Sequence, residues 1–112
     1  MKLSCHCGNV SLQAPEPEQV AICNCSICRR YAACWAYYPP EAVQIRVERS
    51  ATAFYQWGDR MVEFHRCPEC GCVTHYRTNQ RCDTAVTAIN MRLAEPEWLA
   101  TVPVRHIDGA SY

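Results

Sequence analysis

The sequence predicts a small, mainly β domain, antiparallel in its pairing and pinned by metal. Two observations carry that expectation. Short stretches of β-compatible residues recur between Pro and Gly punctuation, with little convincing helix. Ten cysteines occur in 112 residues, far above ordinary usage, which calls for crosslinking by metal or by disulfide. One domain spanning residues 1–112 is expected, because no repeat, linker or composition break divides the chain.

Taken in order, residues 8–13 alternate weakly and predict a short strand, and the Pro-rich APEPE at 14–18 predicts a loop. Residues 19–22 read as a second strand leading into CNCSIC. Residues 26–33 permit a brief helix. Residues 34–38 are extended and aromatic, and Pro39-Pro40 stops them. The V-Q-I-R-V alternation at 43–47 is the clearest half-buried strand. Strands over 51–57 and 61–66 form a hairpin about Gly58-Asp59. CPECGC at 67–72 predicts a tight knuckle, and 73–77 continues extended. The β-branched content of 84–92 predicts a final strand. The tail from Ala94, with Pro96 and Pro103, predicts an extended covering segment with a short turn near 97–100.

Formal charge is zero, with 11 basic against 11 acidic residues. That balance gives no global attraction to nucleic acid or an anionic membrane. The longest apolar run, around AACWAYY, falls short of a membrane span, and MKLSCHCG carries no apolar leader. A soluble, cytoplasmic protein is expected, where clustered cysteines bind metal more often than they form durable disulfides. Spacing points the same way: Cys5 and Cys7, like Cys23 and Cys25, stand one residue apart and cannot easily reach relaxed disulfide geometry with each other.

Two cysteine sets follow. Cys67-Pro-Glu-Cys70-Gly71 turns two thiols toward one ion, and Cys5-His-Cys7-Gly8 supplies a second pair ending in the same residue. Four thiolates close a tetrahedron around zinc and leave no corner for substrate, so this set is expected to be structural. Iron accepts the same geometry, but the spacings do not match the bacterial cluster run. Cys23, Cys25 and Cys28 form the other set, and a turn can aim all three sulfurs at one point. Three thiolates on zinc carry net negative charge. Arg29 and Arg30 can offset it or hold an anionic ligand, unless they are an ordinary solvated pair.

CHCGNV, CNCSICRR and CPECG, in this order and at these separations, resemble the glutathione-dependent formaldehyde-activating enzyme family, which includes centromere protein V. The chain looks like a short member. The resemblance implies a mainly β fold of two sheets around a structural zinc held by Cys5, Cys7, Cys67 and Cys70. It implies a catalytic zinc site at Cys23, Cys25 and Cys28. The VRHIDG tail also looks like an ending common among short members. The implied chemistry is that of a carbon–sulfur lyase acting on adducts of a small thiol and an aldehyde, such as S-hydroxymethyl thiols, with glutathione or another small thiol as substrate. The alternative class is a non-catalytic, zinc-stabilised binding or scaffold module.

Among the remaining residues, Cys34 reads as core, and Cys72 as a small buried side chain. Cys82, His65 and His75 are candidates to close the second site. His106 and Asp108 can share a strand face as a weak base pair. Arg30, Tyr37 and Tyr38 are the candidate pocket residues that follow the three-cysteine set, Arg30 and Tyr37 foremost as substrate contacts.

Overall fold

The computed structural model describes residues 1–111 and places ten strands in two sheets among them. Strands β1 (Lys2–Ser4), β2 (Val10–Gln13) and β5 (Gln44–Val47) make a three-stranded antiparallel sheet in the order β1-β2-β5. Leu3 stands opposite Leu12 in register, and both are buried, so the alternation of β2 delivers Val10 and Leu12 to one core face. The strand expected from Gly8 begins only at Val10. Gly8 takes a φ of +82°, a left-handed turn conformation outside the extended β region.

The second sheet holds β3 (Val20–Cys23), β4 (Trp35–Tyr38), β6 (Ala53–Tyr55), β7 (Val62–Arg66), β8 (Val73–Thr78), β9 (Thr87–Asn90) and β10 (Val104–Ile107), in the order β10-β3-β4-β9-β8-β7-β6. Every neighbour is antiparallel except β10, which runs parallel to β3 with Ile107 beside Cys23. The covering tail is therefore a strand of the sheet. It gets there through a helical turn at residues 91–93 and helix α2 (Pro96–Leu99), the kind of connecting excursion a parallel partner requires.

Helix α1 (Ser26–Tyr31) follows β3 and stops at Ala32, whose φ of 53° lies in the left-handed region. The expected strand over 84–92 shortens to β9: it begins only at Thr87, and it ends at Asn90 because the Asn90 side chain accepts the Arg92 N–H at 3.1 Å and caps the next helical turn. All four residues of β9 are buried, as befits a strand covered on both faces. One face meets the small sheet through Val10, Leu12, Val20, Ala36, Tyr38, Ile89 and Met91. The other carries a second cluster of Cys28, Ala33, Trp35, Phe64 and Ala88. Among the described residues no helix is long and apolar enough to cross a membrane.

Candidate metal centres

The sulfurs of Cys5, Cys7, Cys67 and Cys70 lie within 4.8 Å of one another. Two knuckles bring them there. In the first, the Gly8 N–H returns to Cys5 O at 3.2 Å; in the second, the Gly71 N–H returns to Cys67 O at 2.9 Å. Gly8 and Gly71 share a φ of +82°, so the two turns use the same device. Cys7 Sγ is 3.7 Å from both Cys5 Sγ and Cys67 Sγ. Four sulfurs each about 2.3 Å from a common centre stand about 3.8 Å apart, so the spacing suits a tetrahedral ion.

Asn9, fully buried between the knuckles, ties this group to the fold. Its Nδ2 donates to Ser50 O at 2.8 Å and to Cys67 Sγ at 3.5 Å, while its Oδ1 accepts the N–H groups of Arg49 and Ser50. Arg49 reaches Cys7 Sγ at 3.5 Å and Glu69 at 3.1 Å. The thiols respond to their crowding. The Cys72 N–H pulls Cys70 down to about 5. At Cys7 the Asn9 N–H favours the thiolate, yet desolvation and the neighbouring sulfurs outweigh it and push the group up to about 11. Four such thiols cannot all ionise without a cation among them, which is what a zinc ion provides.

The sulfurs of Cys23, Cys25 and Cys28 form the second group, again within 4.8 Å. Cys23 ends β3, Cys25 caps α1, and Cys28 sits buried in its first turn. The Cys28 N–H donates to Cys25 Sγ at 3.4 Å. Burial raises the Cys25 thiol, but that N–H and its neighbours lower it further, and the net shift is downward. Cys28 is pushed up to about 12, first by burial and then by Cys25. Trp35 Nε1 is buried without a hydrogen-bond partner and favours the thiolate of Cys28. An orphaned donor beside a thiol fits a sulfur that carries negative charge, as a metal ligand does.

The tail lies directly against this group. The Asn24 N–H donates to Ile107 O at 3.1 Å, Asn24 Nδ2 donates to Asp108 Oδ1 at 2.9 Å, and Asn24 Oδ1 accepts the Ala110 N–H at 2.9 Å. Gly109 is thereby held so close that a Cβ there would collide with Cys23 Sγ. Asn24 and Gly109 fall within CNCSICRR and VRHIDG, yet their roles were not legible there, because each acts on a partner far away in the chain.

Other candidates fall elsewhere. Among the described residues no fourth His, Cys, Asp or Glu joins Cys23, Cys25 and Cys28. Cys82 lies in a turn, its N–H on Asn79 O. His65 and His75 stack at 4.6 Å, held by Thr52 and Thr74 at 2.8 Å each. Asp108 accepts from Asn24 Nδ2 and Ser111 Oγ on its two oxygens, so it does not serve His106. Arg30 donates to Ser26 O at 2.8 Å, back along its own helix. Tyr37, 40% exposed on β4, lies near Tyr76, with ring centroids 6.3 Å apart, and its phenol is in the field of Cys23 and Cys28. Tyr38 instead turns into the inter-sheet core and donates to Pro15 O at 2.7 Å. Cys34 is core and Cys72 is half-buried.

The family described as glutathione-dependent formaldehyde-activating enzyme matches residues 1–106. The chain belongs to that family. A crystal structure of a Rhodobacter sphaeroides protein is similar as well: 26% identity, TM-score 0.75, covering 94% of this chain and 100% of that one. No curated protein matches the chain. Membership of the glutathione-dependent formaldehyde-activating enzyme family and two convergent cysteine groups fit a zinc-binding protein, and all ten cysteines are free of disulfides.

Proposed function

We propose that the protein is a zinc-dependent carbon–sulfur lyase that makes and breaks adducts of a small thiol with an aldehyde, S-hydroxymethyl thiols among them. The observation that carries this reading is the three-thiol group, which gathers Cys23, Cys25 and Cys28 and has no fourth protein ligand among the described residues. Cys5, Cys7, Cys67 and Cys70 would hold a structural zinc, and Cys23, Cys25 and Cys28 a catalytic one. In the second position zinc supplies stabilisation of a thiolate near neutral pH. Ten free thiols suit a reducing, cytoplasmic setting.

In the addition direction, the sulfur lone pair forms the S–C bond as the carbonyl π bond opens onto oxygen, and the thiol proton ends on that oxygen. Elimination is the reverse. Cys28 is fixed by its burial beside Trp35 and Phe64, so the group changes little as substrate arrives. Tyr37 is the residue proposed to relay the proton. Its phenol is partly exposed and in the field of Cys23 and Cys28, and burial keeps its pKa raised, so it stays protonated, can donate to the forming alkoxide and then takes up the proton released by the thiol.

Cys25→Ser tests the reading. Metal content should fall from two zincs per chain to one, and thiol–aldehyde turnover should fall at least about 100-fold, beyond the loss typical of removing a supporting group. Full turnover with the second metal gone would end the proposal. The exposed Phe54, Tyr55 and Trp57, on and beside the edge strand β6, favour the second reading of a non-catalytic binding module. Two bound zincs with no turnover of any thiol–aldehyde pair would decide for it.

A further inference from the structure

We infer that the site takes thiols whose sulfur carries an uncharged apolar or aromatic group, in preference to the charged tripeptide glutathione. The inference rests on the lyase reading above and names its substrate class. A cleft of about 270 Å³ opens beside Cys25, lined also by Ile27, Trp57, Asp59, Val62 and Phe64. Ile27 comes from α1, Trp57 and Asp59 from the loop after β6, and Val62 and Phe64 from one face of β7. A thiol anchored beside Cys25 would lay its substituent along these side chains.

Size is the first argument. Ligand clefts commonly enclose about 300–1,000 Å³, whereas about 150 Å³ is enough for a benzene ring. A cleft near 270 Å³ takes a ring and a short linker, whereas a tripeptide would extend beyond its apolar walls.

Charge is the second. Glutathione brings two carboxylates and an ammonium group, and burying a carboxylate without a partner is costly. None of the described residues lining the cleft is Lys, Arg or His. Asp59 is the acidic member, and its Oδ1 accepts the Met61 N–H at 3.0 Å. Arg30 is engaged on Ser26 O, and Arg81 donates to Asp59 O at 3.4 Å without lining the cleft.

The wall itself favours a flat apolar group. Phe64 is buried and braced by the rings of Tyr31, Trp35 and Tyr76 at 5.6, 6.2 and 5.5 Å, so its face of the cleft is fixed. Trp57 stands opposite in character: 46% exposed, with apolar surface free for a ligand. A flat apolar substituent between a rigid ring and a free indole gains both burial and aromatic contact.

Isothermal titration of the zinc-loaded protein with phenylmethanethiol, 2-mercaptoethanol and glutathione tests this without relying on turnover. Phenylmethanethiol should bind at least about tenfold tighter than glutathione, and Trp57→Ala should weaken it about tenfold while leaving 2-mercaptoethanol unchanged. Glutathione binding as tightly as phenylmethanethiol would overturn the inference, as would a Trp57→Ala variant that weakens all three equally. The two readings fail separately. Selective binding of phenylmethanethiol without aldehyde turnover sinks the lyase and leaves the selectivity. Turnover that prefers glutathione keeps the lyase and sinks the selectivity.

Discussion

Gly109 packs on Cys23 with no room for a side chain between them, although the two residues lie at opposite ends of the chain. The parallel pairing of β10 with β3 sets Ile107 beside Cys23, and Asn24 then grips Asp108 and Ala110 on either side of the glycine. The three-thiol group is thus completed by backbone from the tail. Two elements that meet only in the folded protein define its wall.

Gly109→Ala should therefore disturb the second metal group and spare the first. Its Cβ would press on Cys23 Sγ and come within 3.1 Å of Cys25 Cβ, so one of the sulfurs or the tail must move. The expected outcome is a drop from two zincs toward one per chain, with turnover falling in proportion. Elemental analysis beside an activity assay checks it. Retention of both metals in the alanine variant would show that the tail yields freely.

Asn9→Ala should weaken the first group. The substitution strips partners from the Arg49 and Ser50 N–H groups and removes the donor at Cys67 Sγ. An orphaned, partly buried N–H costs about 1–3 kcal/mol. At this chain length each kcal/mol lowers Tm by about 4 °C or more, so a fall of at least about 5 °C is expected. Zinc affinity at that group should drop about 10- to 100-fold, the usual effect of losing a supporting hydrogen bond to a ligand. Calorimetry with and without a competing chelator measures both, and a variant melting within about 1 °C of the parent would refute the role given to Asn9.

His75 should make stability depend on pH. Burial holds its folded pKa at about 3, well below the ordinary value of 6.5, with His65 and Arg77 adding to the effect. The unfolded chain therefore binds the proton first. Stability from this residue is fully present above about pH 6.5 and is lost as pH falls toward 3. Protonation of thiolates holding zinc would also destabilise the fold in acid, so the comparison is with His75→Gln, which keeps the same cysteine groups. Denaturant midpoints measured from pH 7.5 to 4.5 should fall less steeply for the variant. Parallel curves would contradict the assignment.

Much of the local chemistry was legible in the sequence because it depends on short spacings. Two thiols separated by one or two residues and followed by Gly8 or Gly71 can close a turn whatever lies around them, and both turns form as their spacing predicts. The alternation at Val43 to Val47 likewise produced β5, and the Pro39-Pro40 stop ended β4. Strand ends were less legible. Those of β2 and β9 were moved by a left-handed glycine and by an asparagine cap, each a single-residue effect that outweighs propensity.

By itself the sequence determined the inventory: mainly short strands, four thiols in two glycine-closed knuckles, and three more in a compact turn. Only tertiary structure decided how these meet. The parallel seat of β10, the Asn24 latch, the Asn9 clamp and the cleft under Trp57 all join residues far apart in the chain. Local spacing fixes which thiols can turn inward because neighbouring dihedrals govern it. Long-range contacts depend on which buried faces pair, and that choice is settled only when the whole core packs at once.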